Sequence, residues 1–443
     1  MRGLFCSIAI CLAGAGSPAQ AGAQTVSARP PQATTAVTVA SPVPATAGAV
    51  VPLSALLQEA ARNNPDILAA ARMWQATTRV APQVSSLPDP QVVFQQLDVG
   101  SPRPFAGFTN SDFAYVGLGV SQDVPFPGTL ALRGQAAERA SDASRRQVDA
   151  VRRQVQADIR DAYARLGRVQ ESLAILTRDA PLLAEIEQIA EARYRVGRGS
   201  EQAVLEAQLQ QTRLQRDVAL RQQDRDLIEA RLKQLVGRAQ ESPDIVAAAP
   251  VETPLPPDPE RLLQRVETGN PSVLGRRDLV REAEANVALA HKAFDPDFTV
   301  QFMWQHTAEP FRDMYMFTVG ARIPLYWRHR QVPGLAEATD RLAGVREEYT
   351  ADIQAAQAQL RDQLSRAETA GRLLTIDRDG LIPQARAAFQ AGLAAYQSGR
   401  LDFNAVLRSF LDVLALEDSY WQTLADHEAA VARIEQLTGV PLP

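Results

Sequence analysis

The chain repeats itself, and that repeat limits what it can fold into more than any single motif does. Asn64-Pro65 recurs as Asn270-Pro271, 206 residues later, and Pro90 and Pro296 keep the same offset. Val124-Pro125 answers to Ile323-Pro324 at 199 residues. Pro181 with Pro383, Tyr194 with Tyr396, Gly197 with Gly399, and the Leu235/Gly237 pair with Leu437/Gly439 all then stand 202 apart. Gly and Pro are common enough for one match to arise by chance, but an ordered series with matched elements between its members is not. Shifts of a few residues are what unequal loops produce. The repeats so defined span residues 51–237 and 260–439, joined by a connector at 238–259 and followed by a short tail at 440–443. Pro250, Pro254, Pro256, Pro257 and Pro259 exclude a continuous helix through the connector.

Ahead of the first repeat, Met1-Arg2, the apolar run Leu4 to Ala15 and the small-residue motif Ala19-Gln20-Ala21 have the three parts of a secretory signal peptide over residues 1–21. Residues 22–50, rich in Ala, Thr, Val and Pro with no apolar period, read as a flexible leader. Both cysteines, Cys6 and Cys11, fall inside the signal segment, so the exported chain carries none. Beyond that segment no stretch reaches the roughly 18 consecutive apolar residues of a spanning helix. If the chain crosses a membrane, a closed barrel is the form left to it. A net charge of -5 supplies no general attraction for nucleic acid, which is not expected as a partner.

Each repeat starts with helical spacing and then changes period. Phe298, Val300, Phe302 and Trp304 alternate with Thr299, Gln301, Met303 and Gln305, and after the turn-like Thr307 to Asp313 the alternation resumes at Tyr315, Phe317, Val319, Ala321 and Ile323. In the first repeat, Gln91 to Val99 and Phe113 to Val120, joined by Gly100 to Ser111, are the weaker equivalents. Each of these four strands is close to the ~9 to 11 residues that a tilted barrel strand needs. Two per repeat cannot close a barrel around a pore, so several chains must contribute. The helices that follow are long. Val148, Val151, Val155, Ile159, Ala162, Leu166, Val169, Leu173 and Leu176 keep spacings of three or four, and Leu342, Val345, Tyr349, Ile353, Ala356 and Leu360 begin the matching seam. From Gly128 to Gly197 only Pro181 interrupts, a span of roughly 100 Å at ~1.5 Å per residue. The fold class is mainly α with a small β part, a duplicated helix-strand-strand-long helix unit.

With this order in place, the chain resembles the TolC-like outer-membrane factor (outer-membrane efflux protein) family from about Leu53 to Gly439, and from Asp295-Pro296-Asp297 to Ile323-Pro324-Leu325 it is similar to the branch paired with heavy-metal RND pumps. The resemblance rests on the duplication, the element order and two turn motifs, Tyr194-Arg195-Val196-Gly197-Arg198-Gly199-Ser200 and Tyr396-Gln397-Ser398-Gly399-Arg400-Leu401-Asp402. It implies a homotrimer whose strands close into one outer-membrane barrel of about twelve strands, continuing into a helical tunnel through the periplasm. It implies an exit duct that works with a periplasmic adaptor (membrane fusion protein) and an inner-membrane pump, of RND type, and that is no enzyme and carries no cofactor. Tyr194, Val196, Gly197, Arg198, Tyr396, Ser398, Gly399 and Arg400 would form the adaptor-docking tips. Glu201, Gln202, Leu401, Asp402 and Arg408 stand near where the family constricts its periplasmic entrance, and Gln202 and Ala203 after the first tip and Leu401 and Ala405 after the second match unevenly the polar, charged or aspartate residues of relatives there. Phe298, Val300, Phe302, Trp304, Tyr315, Phe317 and Val319 would face lipid.

The rival readings have less support. Only four histidines exist, His291, His306, His329 and His427, without paired spacing on a helix face, so neither catalysis nor metal binding has a candidate centre. The repeated Glu and Asp on the helices read as a solvated face. A periplasmic adaptor or structural coiled coil also carries an export signal and long helices, but shows one hairpin where this chain shows two, each preceded by amphipathic strands. Met303, His306, Met314, Met316 and His329 gather near the second strand pair, a set compatible with soft-metal export and with ordinary barrel side chains.

Overall fold

The computed structural model describes residues 50–97, 114–256, 258–307 and 312–441. The signal segment 1–21, nearly all of the leader 22–50, residues 98–113, residue 257 and residues 308–311 lie outside the described residues, as do the last two residues of the tail.

Each repeat opens on an Asn-Pro joint. Asn64 separates α1 (Leu53–Asn63) from α2 (Pro65–Thr78), and its side chain accepts from the backbone N–H of Ile67 while Pro65 takes the first helical position, where its missing N–H leaves no gap. α3 (Val80–Ser85) then leads into β1 (Gln91–Leu97) and β2 (Tyr115–Val124). In the second repeat Asn270 accepts from Ser272 and Val273 between α6 (Pro259–Gly269) and α7 (Pro271–Lys292), ahead of β3 (Asp297–Thr307) and β4 (Met314–Arg322). β2 runs four residues past the expected Val120, and Ile323 falls outside β4.

The strands feed helices of matched length. α4 (Thr129–Arg195) has 67 residues, and α5 (Glu201–Val236) returns along part of it with 36. In the second repeat α8 (Gln331–Ile376), a π turn (Asp377–Leu381) and α9 (Ile382–Gln397) run end to end with 46, 5 and 16 residues, as long as α4, and α10 (Phe403–Thr438) again has 36. The interruption expected at Pro181 does not occur, since α4 passes through it unbroken. At the equivalent Pro383 the π turn intervenes. There the N–H of Ile382 reaches back five residues to Asp377, re-pairing the ladder where proline cannot donate.

The four strands form one antiparallel sheet in the order β1-β2-β3-β4, leaving β1 and β4 as open edges. The helices next to the sheet keep that order, with α4 between α2 and α7, and α8 beyond α7. Farther from the sheet α4 packs on α5 and α10 instead.

Three apolar clusters hold this together. Leu56, Ile159, Leu166, Leu232 and Val236 fill the joint of the first repeat, and Val266, Leu360, Leu364, Ala430 and Ile434 that of the second. Leu183, Ile186, Ala207, Phe389, Val406 and Phe410 form the third, at the end remote from the sheet. The first seam shifts along its length. Beyond Val169 the deeply buried positions are Ser172, Ile175, Asp179, Leu183 and Ile186, with Leu173 and Leu176 only half-buried. The connector is no free linker. Ile245 and Ala247 are buried, Ala248 donates its N–H to the Tyr163 hydroxyl at 2.8 Å, and Gly167 leaves room for it, since a Cβ there would meet the Ala248 carbonyl at 2.7 Å. Among the described residues no helix is long and apolar enough to cross a membrane.

Candidate functional site

Two places in this architecture stand out as working surfaces, the sheet and the remote helical ends. Strand alternation sorts the sheet into two faces, and the register aligns them across all four strands. On one face Val92, Val120, Phe302 and Phe317 form a row, beside Phe94, Leu118, Trp304 and Tyr315. Val300 and Val319 extend it, with Gln122 as the polar member of their row, and Phe298 aligns with Val124 and Ala321. The opposite face carries Gln91, Ser121, Gln301 and Thr318 in one row and Gln95, Gly117, Gln305 and Met314 in another. Phe302, Trp304, Tyr315, Phe317 and Val319 are exposed, Tyr315 to 70%, whereas Phe298 and Val300 are half-buried. An apolar patch of this extent and continuity on an exposed face marks a membrane or protein contact.

Its Trp and Tyr residues gather at the ends. Trp304 and Tyr315 pair near the β3–β4 turn, where the Trp304 indole N–H donates to Asp313 at 3.0 Å and His306 pairs with the same carboxylate at 2.7 Å. Tyr326 and Trp327 are exposed past the other end of β4, with the Arg328 guanidinium over the Trp327 ring. Aromatic girdles on both sides of an apolar band are the pattern of a strand sheet that meets two water interfaces. The gathering of Met303, His306, Met314, Met316 and His329 is divided by the same alternation. The three methionines share the face opposite Trp304, His306 stands on the Trp304 face bonded to Asp313, and His329 lies in the turn after β4.

The remote ends are two turns of one design. The N–H of Gly197 bonds the Tyr194 carbonyl and that of Arg198 reaches the Arg193 carbonyl, both at 2.9 Å, and Gly399 and Arg400 repeat this onto Tyr396 and Ala395. Both glycines sit in the left-handed region, at φ +69° and +79°, as this C-terminal motif requires. Val196, Arg198, Ser398 and Arg400 are exposed. The two tyrosines differ. Tyr194 is exposed, while Tyr396 is buried against Phe403 with the Arg193 guanidinium 4.7 Å from its ring centre and bonded to its carbonyl at 2.7 Å. Burial pushes the Tyr396 phenol up, partly offset by that cation. Tyr396 therefore braces its turn and offers no free surface.

The five residues expected at the entrance have separate positions. Asp402 caps α10, accepting from Ala405 at 2.8 Å, and Leu401 packs on the remote apolar cluster. Glu201, Gln202 and Arg408 are exposed, and their side chains make no hydrogen bond or ion pair within the described residues.

Sequence reasoning missed a buried charged cluster partway along the helices. Asp179 and Glu417 lie among apolar seam positions, and Arg178 bonds both while Arg386 bonds Glu417 from α9. The bond to Asp179, then that to Glu417, holds the Arg178 guanidinium well above its ordinary range. The reading of all helix carboxylates as a solvated face is thus corrected at these two, and also at the buried Glu229, Asp278, Asp377 and Glu435. For Asp179 and Glu417 the signal was an acid at seam spacing, between Ile175 and Leu183 and four residues beyond Val413.

The sequence model of the outer membrane efflux protein family matches this chain twice, over residues 56–238 and again over 262–440. The chain belongs to the outer membrane efflux protein family. Members are channels of the outer membrane, form trimers and act with periplasmic adaptors and inner-membrane pumps in tripartite efflux; they are not enzymes. This efflux channel is 23% identical over 413 residues to the cobalt-zinc-cadmium resistance protein CzcC of Cupriavidus metallidurans, covering 92% of the chain and 94% of the relative. Its fold is that of solved outer-membrane channels. VceC of Vibrio cholerae superposes with a TM-score of 0.73 at 18% identity, covering 88% of this chain and 97% of VceC, and CusC with 0.75 at 18%, covering 87% and 91%.

Proposed function

We propose that three copies of this chain close into one barrel of about twelve strands, forming the exit duct of a tripartite system that expels metal cations. The observation that carries the barrel is the sheet with one continuous apolar face and two open edges. An open edge cannot remain in hydrocarbon, where an unpaired backbone group costs several kcal/mol (~2 to 7). β4 of one chain therefore pairs with β1 of the next, and Phe298, Val300, Phe302, Trp304, Tyr315, Phe317 and Val319 face lipid. The turns at Gly197 and Gly399 meet the adaptor, and Glu201, Gln202, Asp402 and Arg408 line the entrance. Residues 1–21 direct export, and an RND-type pump drives transport. The metal class is supported by the likeness to CzcC along nearly its whole length.

The two faces of β3 supply the test. Val300→Arg puts a charge on the lipid side and is expected to cost roughly 2 to 4 kcal/mol, depressing the heat-resistant trimer in outer-membrane fractions, whereas Gln301→Arg leaves it at wild-type abundance. Equal trimer from both variants would refute the facing, and a monomer in the soluble periplasmic fraction would refute the duct.

A further inference from the structure

Among the five methionines of the chain, three stand on one face of one strand pair. Met303 and Met316 are directly opposed in the β3–β4 register, and Met314 lies two residues along β4, opposite Gln305. Side chains two apart on one face and on adjoining strands are within reach of one another when they are as long as methionine. The Met303 thioether is held in place. Its sulfur accepts from Gln305 Nε2 at 3.5 Å, and the neighbouring strand carries glycine where it passes, since a Cβ at Gly117 would stand 3.3 Å from that sulfur. A Cβ at Gly119 would meet the Phe302 carbonyl at 2.7 Å and Met303 at 3.3 Å. Gly117 thus opens the space that the sulfur occupies, and Gly119 the space beside the Met303 Cα and Cβ. Met303 is buried beneath, while Met314 and Met316 are each 41% exposed on the same face.

We propose that Met303, Met314 and Met316 form a transit site for a soft monovalent cation, Cu(I) or Ag(I), on the inner wall of the barrel. Thioethers are neutral, polarisable donors that select soft ions and leave Zn(II) and Co(II) in water. Among the described residues the adjoining positions on that face are Val93, Gln95, Gln301, Gln305 and Thr318, none of them a carboxylate that would compete for harder ions. Neutral donors hold a cation without compensating its charge, which suits brief residence on an exit wall better than storage. Thioethers do not titrate in the physiological range, so occupancy is independent of pH between about 5 and 8. The site rests on the barrel reading above, which puts this face toward the lumen, and it extends the cargo from the metals named for the CzcC relative to a softer class.

The test is a titration of the detergent-purified trimer with Ag(I) in thiol-free, chloride-free buffer, read by calorimetry and by peroxide oxidation of methionine. Wild type is expected to bind one Ag(I) per chain, with the exposed Met314 and Met316 protected from oxidation and the exposed Met73 unprotected. The M303L/M314L/M316L variant keeps side-chain volume, assembles a heat-resistant trimer and weakens Ag(I) binding by at least about tenfold. Zn(II) gives no heat with either protein. Unchanged Ag(I) binding by the triple variant, or none by wild type, overturns the site. Cellular metal export by the wild type alongside absent Ag(I) binding would overturn this site alone and leave the duct intact. Ag(I) binding at the three methionines with no metal export in cells supports the site and sinks the metal-efflux reading.

Discussion

Among the described residues, four glycines hold left-handed conformations just past the C-terminal ends of helices in this channel, and the two pairs are used in opposite ways. Gly237 and Gly439, which end α5 and α10, are wedged. A Cβ would stand 2.6 Å from the Asn63 carbonyl oxygen at the first and 2.4 Å from the Gly269 carbonyl oxygen at the second. Gly197 and Gly399 end α4 and α9 in the open, with nothing within 4 Å of a Cβ at the first and only Arg193 Nη2, at 3.8 Å, at the second. One backbone device thus serves the packed joints, where helix meets helix, and the free tips, where the chain has only to reverse. The joints cannot change without moving the fold. The tips can change and alter only what they touch.

The largest effect is expected at the joints. Gly439→Ala or Gly237→Ala adds left-handed strain of about 1 to 2 kcal/mol to overpacking of about 1 to 3. Either variant should lower the chemical-denaturation midpoint sharply and reduce trimer yield, and wild-type stability in both would break the distinction. The joints themselves are unequal. Asn64 donates to the Leu235 carbonyl at 2.7 Å besides capping α2, whereas Asn270 only caps α7. Asn64→Ala is therefore expected to cost about 2 to 4 kcal/mol, the cap plus an orphaned buried carbonyl, against about 1 for Asn270→Ala, by equilibrium unfolding. Equal costs would show that the Leu235 bond contributes nothing. The smallest effect on stability belongs to the tips. Gly399→Val adds roughly 1 to 2 kcal/mol of strain in open space. Trimer abundance should stay at wild type while adaptor crosslinking and export fall, and normal crosslinking with both tip glycines replaced would remove the tips as the docking site.

Much of this was legible in the sequence because it is carried by spacing. The duplication, four strands and long seams follow from offsets and periods that need no knowledge of contacts. What escaped depends on pairing across distance. Glu417 meets Arg178 from 239 positions away, and nothing local distinguishes such an acid from a solvated one except its place on an apolar stripe. Tyr194 and Tyr396 look alike in sequence yet differ in burial. The reason is one position earlier, where Arg193 reaches Tyr396 while its counterpart Ala395 has no side chain to reach Tyr194. The docked connector was hidden in the same way, by the Tyr163 hydroxyl and Gly167 on another element. The methionine face was within reach of plain alternation, which sets His306 apart from Met303.

Topology in living cells tests the central claim most directly, and the absence of cysteine after Cys11 makes it clean. Single cysteines placed as Arg312→Cys in the β3–β4 turn and Arg400→Cys at the helical tip would be probed with a membrane-impermeant maleimide. An outer-membrane duct with periplasmic tips requires that intact cells label the first and spare the second until the outer membrane is permeabilised. Labelling of the tip in intact cells, with the strand turn protected, would contradict it.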